Sequence, residues 1–138
     1  MNNDMNTGMG YLIVKVSTAR GAIPLEGASV SIRGASPENS DIIYSLRTNR
    51  SGATERVALP TPSRLLSQSP RDIRPYALYS IDVFSRGYGA LALPQVAVFD
   101  SVTSIQPAVL IPLPDNAYPD SYSISAPQSP SDRDSQRG

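Results

Sequence analysis

Apolar and polar residues alternate with a period of two over much of the chain, the spacing that sends successive side chains to opposite faces of a strand. Leu12, Val14 and Val16 interleave with Tyr11, Ile13 and Lys15, and Ala28, Val30 and Ile32 interleave with Ser29, Ser31 and Arg33. Residues 41–48 and 53–59 form further strand segments on either side of Asn49-Arg50-Ser51-Gly52. Asn closes a local turn through its side chain and Gly accepts positive φ, so this stretch predicts a hairpin. Residues 76–86 form another strand that ends at Arg86-Gly87-Tyr88-Gly89, a second hairpin turn, and strands over 90–99 and 103–113 come after it, joined around Asp100-Ser101. Helical periodicity is sustained nowhere for three turns, and only one helical turn is expected, over 63–68. Seven short strands with turn signals at intervals of roughly ten residues predict an all-β fold, an antiparallel β-sandwich of about seven strands. The inward set, in phase with each strand's apolar alternation, is Leu12, Val14, Val16, Ala28, Val30, Ile32, Tyr79, Ile81 and Val83.

The ends break this pattern. Residues 1–9 hold three Asn and no periodic apolar positions, and residues 115–138 run through Pro119, Pro127 and Pro130 among Ser, Asp and Arg. Such a composition buries too little apolar area to order itself. The organisation expected is a disordered N-terminal tail over 1–9, a β-sandwich domain over 10–114 and a disordered Pro/Ser-rich C-terminal tail over 115–138. Within the domain, Pro60, Pro62, Pro70 and Pro75 exclude a central strand over 60–75. Leu65, Leu66 and Ile73 place that long loop against the domain rather than free of it.

A length of 138 residues suits one ordinary domain. Formal net charge is +0, which leaves no electrostatic footprint for nucleic acid. The chain has no Cys and no His. Disulfides, thiolate metal sites, the Ser-His-Asp constellation and the commonest general base near neutral pH are therefore unavailable. Residues 1–9 are polar and carry Asp4, unlike a secretory signal, and no run approaches the roughly 20 apolar residues of a membrane span. Neither nucleic acid nor membrane is expected as a partner.

Candidate chemistry is sparse. Glu26, Glu55, Asp82, Asp100 and Asp115 offer carboxyls, but nothing in the sequence brings a pair to the ~5–9.5 Å that glycoside hydrolysis needs. Lys15, the single lysine, lies on the first strand, where a cross-link to a last-strand Asn is conceivable chemistry. Strict alternation turns it away from the core, however, and Thr103 to Leu113 contains no Asn or Asp. Gly8-Met9-Gly10 and Gly87-Tyr88-Gly89 open no helix and so do not read as phosphate loops. Asp100 alone falls short of a calcium site and is expected to cap a turn. No catalytic residue, metal or cofactor is expected, and the chain reads as a non-enzyme.

Several segments together resemble a known family. Gly10-Tyr-Leu-Ile-Val-Lys-Val16 and Ile23-Pro-Leu-Glu-Gly-Ala-Ser-Val-Ser-Ile32 are similar to the first two strands of transthyretin-like, carboxypeptidase-regulatory-like domains. Thr48-Asn-Arg-Ser-Gly52 resembles their Thr-Asp-x-x-Gly turn, with Asn in place of Asp. Leu59-Pro-Thr-Pro62, Pro75-Tyr-Ala-Leu-Tyr-Ser-Ile-Asp-Val83, Gly87-Tyr88, Val98 to Pro107 and Leu110-Ile-Pro-Leu-Pro114 resemble the β-sandwich module of clostridial spore cortex-lytic proteins. The resemblance covers about residues 10–114. It implies a transthyretin-like or immunoglobulin-like sandwich without the separate catalytic region of those proteins. The function it implies is an accessory module of spore cortex or peptidoglycan machinery, cytoplasmic or spore-associated, whose partner is a protein or peptidoglycan. The alternative is a structural subunit that self-associates edge to edge into a coat or appendage.

The expected partner surface lies on the 76–86 strand, which is apolar on both faces. Ala77, Tyr79, Ile81 and Val83 point one way, and Tyr76, Leu78 and Phe84 the other. The second set is either covered by Leu65, Leu66 and Ile73 or exposed as a docking patch. Arg64, Arg71 and Arg74 add positive charge beside it, suited to an anionic glycan or an acidic partner.

Overall fold

The computed structural model describes residues 7–65 and 75–114. Eight strands succeed one another: β1 (Thr7–Thr18), β2 (Ile23–Pro24), β3 (Ser29–Gly34), β4 (Ile43–Arg47), β5 (Val57–Pro62), β6 (Tyr76–Phe84), β7 (Leu91–Phe99) and β8 (Thr103–Val109). They form two four-stranded sheets. One has β1 at its centre, with β2 and β5 on one side and β8 on the other; the other runs β4-β3-β6-β7. The expected all-β sandwich is therefore the fold, with the two-residue β2 as an added strand.

Among the described residues, all strand pairings are antiparallel except one. β8 lies parallel to β1 over seven residue pairs, from Tyr11↔Thr103 to Ser17↔Val109. β7 and β8 are thus not a hairpin, because the turn at Asp100-Ser101 carries the chain from one sheet to the other. The hairpin expected across Asn49–Gly52 is likewise absent: β4 pairs with β3, and β5 pairs with β1. The local turn itself forms as expected. The Asn49 side-chain oxygen accepts from the backbone N–H groups of Ser51 and Ala53, at 2.9 and 3.1 Å, and Gly52 takes φ 82°. Two buried threonines send the chain on either side of this turn to different sheets. Val14 N–H donates to Thr54 Oγ1 at 3.0 Å, and Ala28 N–H donates to Thr48 Oγ1 at 2.9 Å. Thr48 thereby stays with the second sheet while Thr54 joins the first. The hairpin expected at Gly87 does form, between β6 and β7, with Tyr88 N–H donating to the Ser85 carbonyl; β1–β2 and β3–β4 are consecutive antiparallel pairs as well.

The boundary of the folded unit also shifts. Thr7, Gly8 and Met9, expected in the loose tail, begin β1 and pair with Pro62, Thr61 and Pro60. Backbone pairing holds them, which requires no apolar periodicity. β5 runs on through both prolines, which is possible because it has β1 alone as a neighbour and is an edge strand. Residues 1–6 and 115–138 and the second half, 66–68, of the helical turn expected over 63–68 lie outside the described residues. Among the described residues no helix is long and apolar enough to cross a membrane.

The core sits between the sheets. All nine side chains of the expected inward set are buried, joined by Val57, Leu59, Val98, Ala108 and Leu110. Each fully buried Val or Leu contributes about 1.5–3 kcal/mol, so this layer is the main source of cohesion. The buried Tyr79 hydroxyl crosses the layer and donates to the Pro60 carbonyl at 2.6 Å. Val30 stands between Leu46 and Val83 on neighbouring strands and has no exposure. Val30→Ala is expected to lower unfolding stability by about 1–3 kcal/mol, read by chemical denaturation. A loss of a few tenths would contradict this placement.

Candidate functional site

Strand geometry separates the candidate residues on β6. Tyr76 opens the strand and Phe84 ends it, which at 3.3 Å per residue sets them about 26 Å apart. Ser80 and Asp82 stand between them on the outer face, and Asp82 is paired with Arg33 at 3.1 Å. Phe84 is exposed at one end, while Tyr76 and Leu78 are half-buried near the other. The three therefore form no single patch. Leu65 is 52% exposed. Leu66, Arg71, Ile73 and Arg74, which include most of the expected cover, lie outside the described residues.

What the fold does bring together is the end of the sandwich where β6 begins. The Tyr76 ring meets Phe99 of β7 with centroids 5.4 Å apart and planes tilted by 58°. Beside this pair opens a groove of about 330 Å³. Pro60, Pro62, Tyr76 and Ala77 supply its apolar lining, and Glu38, Asn39 and Thr61 its polar positions. The 3-10 turn Pro37–Asn39 places the polar side, fixed by a reciprocal cap between Ser36 and Asn39. The Asn39 amide then donates to the Leu78 carbonyl at 3.1 Å, tying the turn to β6. On the opposite side, the Tyr79 hydroxyl bond holds Pro60 in place. Burial raises the Tyr79 pKa, against which the hydrogen bond from Asn39 works, so the phenol stays protonated and able to donate.

Asp100 is the polar hub of the same end. Its carboxylate accepts from the backbone N–H groups of Met9 at 3.1 Å and Arg64 at 2.9 Å, and from the Ser101 hydroxyl at 3.0 Å. It thus caps a turn, as expected, and also clamps the start of β1 and the chain after β5, which its sequence position does not reveal. Donors face both carboxylate oxygens, an arrangement opposite to a cation site. Gly8 and Gly10 make the clamp possible: a Cβ on Gly8 would overlap the Asp100 carboxylate, and one on Gly10 would overlap the Phe99 carbonyl and the Val98 side chain.

The remaining candidates are dispersed. Asp82 and Asp100 share no partner, and Glu26 and Glu55 are exposed elsewhere. Lys15 is exposed on the outer face, across from Pro107 of β8 and Ala53. Neither residue offers an amide side chain for a cross-link. Among the described residues no three His, Cys, Asp or Glu side chains gather as metal ligands.

No protein-family model matches the chain, and no curated protein does. Solved structures do. The chain is similar to catechol 1,2-dioxygenase from Acinetobacter sp. ADP1, with a TM-score of 0.59 and 17% identity over 93% of this chain and 60% of that one. It is also similar to chlorocatechol 1,2-dioxygenase from Pseudomonas putida, with a TM-score of 0.52 and 15% identity over 80% of this chain and 62% of the other. The Bacillus anthracis TIE protein matches with a TM-score of 0.52 and 15% identity, over 75% of this chain and 16% of that protein. The chain spans less than two thirds of each of these. At such identities the likeness is one of fold.

The clamp has a pH signature. The Arg64 N–H foremost, with the Met9 N–H and the Ser101 hydroxyl, holds the Asp100 pKa below the ordinary aspartate value, outweighing the opposing effect of burial. A depressed pKa in the folded state means that the ionised group stabilises the fold fully above about pH 4, and that this contribution is lost as pH falls through the lowered value. Asp100→Asn is therefore expected to melt below the wild type at pH 7, with the two melting temperatures converging in acid. A gap that stays constant down to about pH 2 would contradict the clamp.

Proposed function

We propose that this protein is a non-catalytic binding module that presents the groove beside Tyr76 to a glycan or polypeptide of the bacterial wall. The observation that carries the reading is the groove itself, which is lined by an aromatic ring and two prolines together with Thr7, Glu38, Asn39 and Thr61. A lining that combines apolar rings with polar residues suits the alternating apolar and hydroxylated surfaces of a sugar, or an extended peptide. The dispersal of the described carboxylates supports a module without its own hydrolytic chemistry. The resemblance of residues 10–114 to the sandwich module of spore cortex-lytic proteins supports peptidoglycan, and the cortex in particular, as the setting.

The test is cosedimentation of the purified chain with isolated peptidoglycan and with cortex fragments. The wild type is expected to be retained. Tyr76→Ala should weaken retention about tenfold, equivalent to about 1.4 kcal/mol, while Phe84→Ser at the far end of β6 leaves it unchanged. Equal retention of all three proteins would overturn the groove as the site, and release of soluble muropeptides by the chain alone would overturn the non-catalytic reading.

A further inference from the structure

The described sheet edges are not equally protected against pairing. β5 carries Pro60 and Pro62, β7 carries Pro94 at a register shift, β8 carries Pro107, and β2 is two residues long. Prolines and short strands are the usual devices that blunt an edge. β4 has neither a proline nor a lysine, and it exposes Ile43 by 63% and Tyr44 by 37%.

We infer that β4 is a self-complementary edge through which two copies of this chain pair antiparallel, joining their β4-β3-β6-β7 sheets into one. The hydrogen-bond pattern selects the residues. Gly34 N–H donates to the Ile42 carbonyl and Thr48 N–H to the Ala28 carbonyl, so the even-numbered residues of this stretch direct their backbone groups toward β3. The N–H and C=O groups of Ile43, Ser45 and Arg47 consequently point away from the sheet. A two-fold axis at Tyr44 sets Ile43 of one copy against Ser45 of the other, and Asp41 against Arg47. Ile43 and Ser45 are outward-directed residues that exchange hydrogen bonds, and the Asp41–Arg47 contact flanks them.

Charge chooses this register over its neighbours. With the axis at Tyr44, both Asp41–Arg47 contacts join opposite charges. With the axis moved to Ile43 or Ser45, Arg47 faces Asn39 or Ile43 instead. On the inner face, the half-buried Ile42 and Leu46, which already pack against the core, meet across the axis and extend that core. A groove of about 450 Å³ along Leu46, Arg47, Ala53 and Glu55 leaves room at the strand's C-terminal half. Such a contact uses the same edge in both copies and closes. It therefore yields a dimer, not the open edge-to-edge polymer that is the alternative from sequence, and it is independent of the groove beside Tyr76.

The test is sedimentation equilibrium of the full chain and variants at low salt, with circular dichroism to confirm folding. The wild type is expected to approach twice the chain mass with rising concentration. Ser45→Pro removes an outward N–H without breaking a bond to β3 and should leave a monomer. Asp41→Arg and Arg47→Asp each place like charges opposite one another twice, and each should weaken self-association at least about tenfold. Mixed together, these two variants should restore a dimer, since every 41–47 contact is then attractive. If Arg47→Asp unfolds because its bond to the Gly27 carbonyl is lost, Asp41→Arg and Ser45→Pro, which both keep that bond, carry the test by themselves. A wild type monomeric at about 1 mM, a mass that climbs beyond two copies, or a dimer indifferent to all of these substitutions would overturn the inference.

Discussion

The structure depends on β1 being hydrogen-bonded along both of its edges. Seven of its twelve residues pair with β8 on one side, and on the other it pairs successively with β5, the segment around Ala53 and Thr54, and β2. No β1 residue can shift by one position without moving Leu12, Val14 and Val16 from the core to solvent. The flanking segments fix that register from both sides. The parallel β1–β8 pairing is a consequence of this arrangement, because the chain reaches β8 by crossing from the opposite sheet, not by turning back within its own.

That crossing explains why a single carboxylate carries so much. Where β7 hands over to β8, the turn must lie close against the start of β1, and Gly8 and Gly10 permit the approach. Asp100 satisfies the N–H groups of Met9 and Arg64 that this close packing would otherwise leave wanting. The Tyr76–Phe99 pair and the groove beside it lie at the same end, so the surface proposed for binding is built on a part of the sandwich tied by the Asp100, Asn39 and Tyr79 hydrogen bonds. A recognition surface on rigid supports loses little conformational entropy on binding.

The candidate site is only partly legible in the sequence. Tyr76 falls in the outward phase of β6, which marks it as a surface aromatic, and it does line the groove. Phe84 shares that phase but not the location, since alternation reports the face of a strand and says nothing of position along it. Glu38, Asn39 and Pro62 give no such sign, because a short turn and an edge-strand proline carry no periodic signal. Asn39 in particular acts through contacts with Leu78 and Tyr79 that are remote in sequence. The motif Ser36-Pro37-Glu38-Asn39, with a capping residue three positions ahead of an amide, is the one local sign available.

The all-β class, the inward phase of each strand identified from alternation, the turn at Asn49–Gly52 and the hairpin at Gly87 are all written in the chain itself. Each of these depends on local properties: the two-residue period of side-chain direction and the φ preferences of Asn and Gly. Which strands pair is set at the tertiary level alone. The Asn49–Gly52 turn joins two sheets because Thr48 and Thr54 satisfy backbone groups on different ones. β8 runs parallel to β1 because the Asp100 turn crosses the sandwich. Strand partners are chosen by hydrogen bonds and packing between residues far apart along the chain, and alternation within one segment is the same whichever partner it meets.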